Sequence, residues 1–164
     1  SDEDDLELYF QRPKITIKKI INDSKSDLSS TELPKIQKKV IDLIKVKIYR
    51  LIGENESLFK KMKDNSGSVY VLLLEENKLY VGFTGGIVEK RIESHFKGRG
   101  SSWVKKYKPL KTILVLESYK NEVEGWVTGF LMKEFGVNNV RGYSFSKTDK
   151  YDKLPDYVNE LPFL

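Results

Sequence analysis

The stretch SVYVLLLEENKLYVGF, residues 68–83, constrains this chain more than any other. Two runs of valine, leucine, tyrosine and phenylalanine flank Glu76 and Asn77. Residues of these types fit a pleated, half-buried surface, and a two-residue break between such runs reads as a hairpin turn. Residues 87–97 then read as a helix, PLKTILVLESY as a strand with Pro109 at its start, and NEVEGWVTGFLMKEF as a helix closed by Gly136. That order predicts an α+β fold, a small α/β sandwich with a three-stranded, largely antiparallel sheet flanked by helices.

The N-terminal part has another character. SDEDDLELYFQ opens as an acidic tail, ITIKKII reads equally as strand or short helix, and residues 30–52 read as a helix capped by Ser30 or Thr31. Ile36, Val40, Leu43, Ile44, Ile48, Leu51 and Ile52 form its apolar stripe, lysines fill the other face, and Gly53 ends it. A shorter helix follows over residues 55–63. DNSG, residues 64–67, is turn chemistry and marks a boundary. The expected organisation is an acidic tail and helical extension over 1–66, a folded domain over 67–146, and a C-terminal tail over 147–164 packed on it. The stripe serves as intramolecular core or as a face for a protein partner or homodimer. Opening on Ser1 instead of Met suggests a trimmed start or a fragment of something longer.

With no cysteine and one histidine among 164 residues, disulfides, thiolate metal sites, cysteine nucleophiles and histidine-cluster metal sites are excluded. Any metal is held mainly by oxygen, which favours Mg²⁺ or Mn²⁺. A net charge of +5 leans toward polyanions. No run of 18 apolar residues and no secretory signal pattern is visible, so an intracellular protein of nucleus or cytoplasm, without a membrane span, is expected.

Several polar residues fall where these elements gather them. Tyr70 and Tyr80 lie on paired strands, Gly82 permits a close approach, and Arg91 and His95 share one helix face at i and i+4. Arginine can bracket a phosphate with two hydrogen bonds as negative charge builds, histidine or tyrosine can take a proton from water, and Glu124 can hold one divalent cation. Taken singly, each has a plainer explanation: tyrosines packed in strands, a solvated arginine, a histidine capping a helix, and acids favoured at a helix start.

Their order resembles the GIY-YIG nuclease family. SVY, residues 68–70, stands for its first motif, with Ser68 and Val69 in place of the usual glycine and isoleucine, and YVG, residues 80–82, stands for its second. Arg91 is nine residues beyond Gly82, and His95 follows one turn later. KGRGSSWVKKYKP and FGVNNVRG look like a compact subgroup, of large viruses and lower eukaryotes, with an NVRG motif after the catalytic helix. The resemblance covers residues 67–146. It implies a DNA endonuclease, with RNA a further substrate left open, working by one metal and a tyrosine-assisted water. Tyr70 would orient or deprotonate the water with Tyr80 beside it, its pKa depressed by Arg91 and the metal. His95 would accept the proton onward and Arg91 would grip the scissile phosphate. Glu124 would ligate Mg²⁺ or Mn²⁺, and Asn139 would position Glu124 or the phosphate. A catalytically weak DNA-binding or recruitment module on the same fold is the alternative.

From Lys90 to Lys111 eight basic residues face one acid, Glu93. Lys90, Lys97, Arg99, Lys105, Lys106 and Lys108 are expected to follow a phosphate backbone. Trp103 either stacks on exposed bases with them or packs as core beneath the loop.

Overall fold

The computed structural model describes residues 33–164. The acidic tail, ITIKKII, Ser30 and Thr31 lie outside the described residues. Helix α1 spans Lys35–Glu54 and α2 spans Glu56–Lys61. Strand β1, Lys63–Leu74, turns at Glu76 and Asn77 into β2, Leu79–Thr84. Helices α3, Val88–Phe96, and α4, Ser102–Lys106, lead to β3, Pro109–Tyr119. Helix α5, Glu122–Phe135, and strand β4, Val140–Gly142, complete the α+β sandwich.

The hairpin forms as its sequence predicts. Glu76 and Asn77 have φ of 58° and 57°, the left-handed pair that matches the twist of antiparallel strands. Pairing is Tyr70 to Gly82 and Leu72 to Tyr80. The sheet order is β3-β1-β2-β4. The expected three strands are therefore four: β4 pairs parallel with β2, Leu79 to Val140 through Val81 to Gly142. A three-residue strand is too short to show an alternation in sequence.

Residues 69–74 of β1 are buried on both faces, which is why they read as a continuous apolar run. Val69, Val71 and Leu73 face a cluster that includes Ile44, Ile48 and Ile52 of α1 and Val123, Val127 and Leu131 of α5. Tyr70, Leu72 and Leu74 face a second cluster with Val88 and Ile92 of α3 and Trp103 and Val104 of α4. Alternation along one strand thus sends Val69, Val71 and Leu73 to one layer and Tyr70, with Leu72 and Leu74, to the other.

Four local expectations are corrected. DNSG is not a turn: Asp64 to Gly67 lie within β1, where both Lys63 and Gly67 register against Tyr119 and a bulge takes up the extra residues. The stripe of α1 is rotated from the expected one. Ile41, Ile44, Ile48, Tyr49, Leu51 and Ile52 are buried, whereas Ile36 is 64% and Leu43 47% exposed. The helix also runs through Gly53, ending where Asn55 donates from its side chain to the Leu51 carbonyl at 2.9 Å. Trp103 is 2% exposed and donates from Nε1 to the Leu79 carbonyl at 3.0 Å, so its ring has no face for a base. The C-terminal stretch returns to the core with Val158 and Leu161 buried and Phe163 packed between Phe59 and Trp126.

Candidate active site

Tyr70 projects from the middle of β1 across Gly82, its partner on β2. A Cβ at Gly82 would stand 2.2 Å from the tyrosine Cζ. The close approach that Gly82 permits is therefore made by the Tyr70 ring and not by a ligand. The hydroxyl of Tyr70 reaches His95 Nε2 at 2.7 Å. Tyr80 closes the triangle, with ring centroids 6.3 Å from Tyr70 and 5.2 Å from His95.

His95 is fully buried, so it is neither a surface group nor a simple helix cap. Its other nitrogen, Nδ1, is 3.2 Å from the Arg99 carbonyl. A carbonyl can only accept, so Nδ1 carries the hydrogen and Nε2 presents a lone pair to the Tyr70 hydroxyl, which donates. Burial and then the Arg91 guanidinium push the His95 pKa down to about 4, leaving a neutral ring. The KGRG loop after α3 holds this arrangement. Gly100 has φ of 124°, and a Cβ there would lie 2.4 Å from His95 Nδ1.

Arg91 is exposed on α3 one turn before His95. It pulls the Tyr70 hydroxyl downward, but burial and then Tyr80 push harder the other way. Among the protein's own groups, desolvation outweighs the guanidinium and the Tyr70 pKa is raised, so Arg91 by itself does not depress it. Burial followed by Glu124 raises Tyr80, against the pull of Arg91 and the Ser101 hydroxyl.

Glu124 sits in the first turn of α5 and reaches the same cluster, acting electrostatically on both Tyr70 and Tyr80. Burial pushes its carboxyl up to about 7, against one hydrogen bond that it accepts at Oε2 from the Tyr143 backbone N–H at 3.3 Å. Among the described residues no three His, Cys, Asp or Glu gather in a metal-binding group. A lone, partly buried carboxylate fits Mg²⁺ or Mn²⁺ shared with phosphate oxygens and water better than a closed protein cage.

Asn139 does not join this cluster. Glu124 is near the start of α5 and Asn139 lies beyond its end, past roughly 16 Å of helix axis at about 1.5 Å per residue. Asn139 donates to the Phe135 carbonyl at 2.7 Å and accepts from Lys78 Nζ at 2.8 Å, so it closes the helix and ties it to the hairpin. The NVRG context is structural as well. Arg141, fully buried, donates to the carbonyls of Lys147, Val137, Val140 and Asp149 and to Asn138 Oδ1. Trp103 and Tyr151 each lie 4.5 Å from its guanidinium carbon. Asn138 pairs with the Tyr151 backbone in both directions.

Lys90, Lys97, Arg99, Lys105, Lys106 and Lys108 are all exposed. Lys97 pairs with Glu93 at 2.8 Å, so its charge is partly spent. The contributions of Tyr143, Ser101, Gly100 and the Arg99 carbonyl escape a sequence reading, although the KGRG glycines were a usable signal for the tight loop around His95.

A tyrosine pair, an arginine and histidine one turn apart, and a carboxylate from a later helix are the features that the resemblance to GIY-YIG domains leads one to expect. Residues 66–129 match the family model described as the GIY-YIG catalytic domain. The chain is also similar to two bacterial UPF0213 proteins. One, from Bacillus velezensis, is 29% identical over 99 residues, covering 58% of this chain and 98% of the relative. The other, from Bacillus licheniformis, is 29% identical over 82 residues, covering 50% of this chain and 82% of the relative. No solved structure matches the chain significantly. Among the described residues no helix is long and apolar enough to cross a membrane.

Proposed function

We propose that this chain is an endonuclease that hydrolyses phosphodiester bonds of DNA with help from Mg²⁺ or Mn²⁺. The observation that carries this reading is the convergence of Tyr70, His95, Arg91 and Glu124, drawn from β1, α3 and α5, around one hydrogen bond whose direction is set.

In this reading Tyr70 works as a relay and not as a free tyrosinate. Its hydroxyl takes a proton from the attacking water while giving its own to His95 Nε2, so charge never accumulates on a buried phenol. His95 is neutral at pH 7 and presents its Nε2 lone pair to the Tyr70 hydroxyl, so it takes the proton only as the water's own proton moves onto Tyr70. Arg91 stands exposed beside the pair, where its guanidinium would bracket the phosphate as charge builds on its oxygens. Glu124 would hold the metal, which when bound supplies Lewis acidity toward the phosphate and the departing oxygen. The exposed lysines of the α3–α4 region would track the backbone, giving affinity without sequence.

The test incubates purified protein with plasmid, branched DNA and RNA, with and without Mg²⁺ or Mn²⁺, beside Glu124→Ala and Tyr70→Phe. Expected is cleavage that needs metal, is lost in Glu124→Ala and falls at least a hundredfold in Tyr70→Phe. Binding without cleavage of any substrate would remove the proposal in favour of a recruitment role. A denaturant-resistant protein–DNA adduct would replace it with covalent tyrosine chemistry.

A further inference from the structure

Tyr143 immediately follows β4 with φ of 55°, a left-handed backbone that a bulky residue seldom adopts. Its backbone N–H faces Glu124 Oε2 at 3.3 Å. Its ring lies on Gly125, where a Cβ would come within 3.3 Å of it. Tyr157 supports the ring at a centroid distance of 5.5 Å and is itself held by donating to the Gly125 carbonyl at 2.9 Å. Tyr143 is nevertheless 48% exposed, and it is the one exposed aromatic among the described residues. A scattered surface aromatic needs no explanation. This one is held on a bare glycine, braced by a second tyrosine, and joined through its own backbone to the carboxylate at the centre of the site.

We propose that the Tyr143 ring is a stacking platform for an unstacked nucleobase next to the phosphate that Glu124 addresses, which makes single-stranded or branched nucleic acid the substrate class. This rests on the nuclease reading above. A base stacks on an aromatic side chain only when its own face is free. An intact duplex hides those faces, whereas a flap, gap or single strand offers them. The platform needs no sequence preference, because every base has such a face.

The test measures binding without added metal by fluorescence anisotropy, using a labelled single strand, a flap, the same flap with abasic nucleotides at the junction, and an intact duplex. Tyr143→Gly keeps the left-handed backbone and the N–H toward Glu124 but removes the ring; Tyr143→Phe keeps the ring. Expected is about tenfold weaker binding of strand and flap by Tyr143→Gly, wild-type binding by Tyr143→Phe, and no difference between variants on the abasic flap or the duplex. Should Tyr143→Gly unfold, Tyr143→Asn also tolerates this backbone and takes its place. Unchanged binding of strand and flap, or an equal loss on the abasic flap and duplex, overturns the platform. If the wild type cuts flap DNA and Tyr143→Gly binds it as well as the wild type does, the platform alone falls. A wild type that binds none of these overturns the nuclease reading with it.

Discussion

Acid should weaken this protein through His95, and the effect can be sized from the structure. In the unfolded chain the imidazole titrates near 6.5, while in the folded protein burial and Arg91 hold it at about 4. The groups that face it are Tyr70, Tyr80, Arg91 and the Arg99 carbonyl, and none supplies a negative charge to compensate a proton. Above pH 6.5 the ring is neutral in both states, and its contribution to stability is complete. As pH falls from 6.5 toward 4, the unfolded chain takes up a proton that the folded one refuses, so stability is lost. At about 1.4 kcal/mol per pH unit the loss approaches about 3 kcal/mol by pH 4. Glu124 tilts the opposite way. Its folded value is raised from 4.5 to about 7, so its contribution is present below pH 4.5 and lost as pH rises through 7. The two slopes oppose each other between pH 4.5 and 6.5, and the wild-type curve alone would hide both. Urea unfolding of wild type and His95→Gln from pH 7.5 to 4.5 separates them. The stability difference between the two proteins should shift by about 2.5 kcal/mol against the wild type as pH falls over that range. Parallel curves would refute the claim that His95 is held neutral by its surroundings.

Arg141→Ala should cost at least about 4 kcal/mol, since four backbone carbonyls lose a charged donor at roughly 1 kcal/mol or more each. A urea midpoint close to wild type would show that the 137–151 region does not depend on it. Replacing Lys105, Lys106 and Lys108 with alanine should lower the slope of log binding against log salt by roughly 2–3, one phosphate contact for each lysine. An unchanged slope would place the nucleic acid on another face.

The hairpin, β3, α3 and α5 were legible because each is long enough to show a period and carries its own stop signal. Tyr70, Tyr80, Arg91, His95 and Glu124 were legible for a different reason: their types and order suit one chemistry, whatever the distances between them. Asn139 was misread because spacing along a chain cannot tell the near end of a helix from the far end. Trp103 was open between two roles because an aromatic among lysines reads the same whether the short helix beneath it turns the ring in or out. DNSG looked like a turn because its residues favour turns, yet pairing with β3 draws it into a bulged strand.

Sequence by itself determined the alternation that places Tyr70 on one face of the sheet and its aliphatic neighbours on the other. It also determined the i, i+4 pairing of Arg91 with His95, and the absence of sulfur chemistry. These are local facts, set by the strand and helix periods and by composition. Tertiary structure alone decided the direction of the Tyr70–His95 hydrogen bond, because the acceptor that sets the tautomer, the Arg99 carbonyl, arrives on a glycine loop. It also decided that, among the protein's own groups, burial of Tyr70 outweighs the charge of Arg91, because desolvation exists only once the chain has packed around the group.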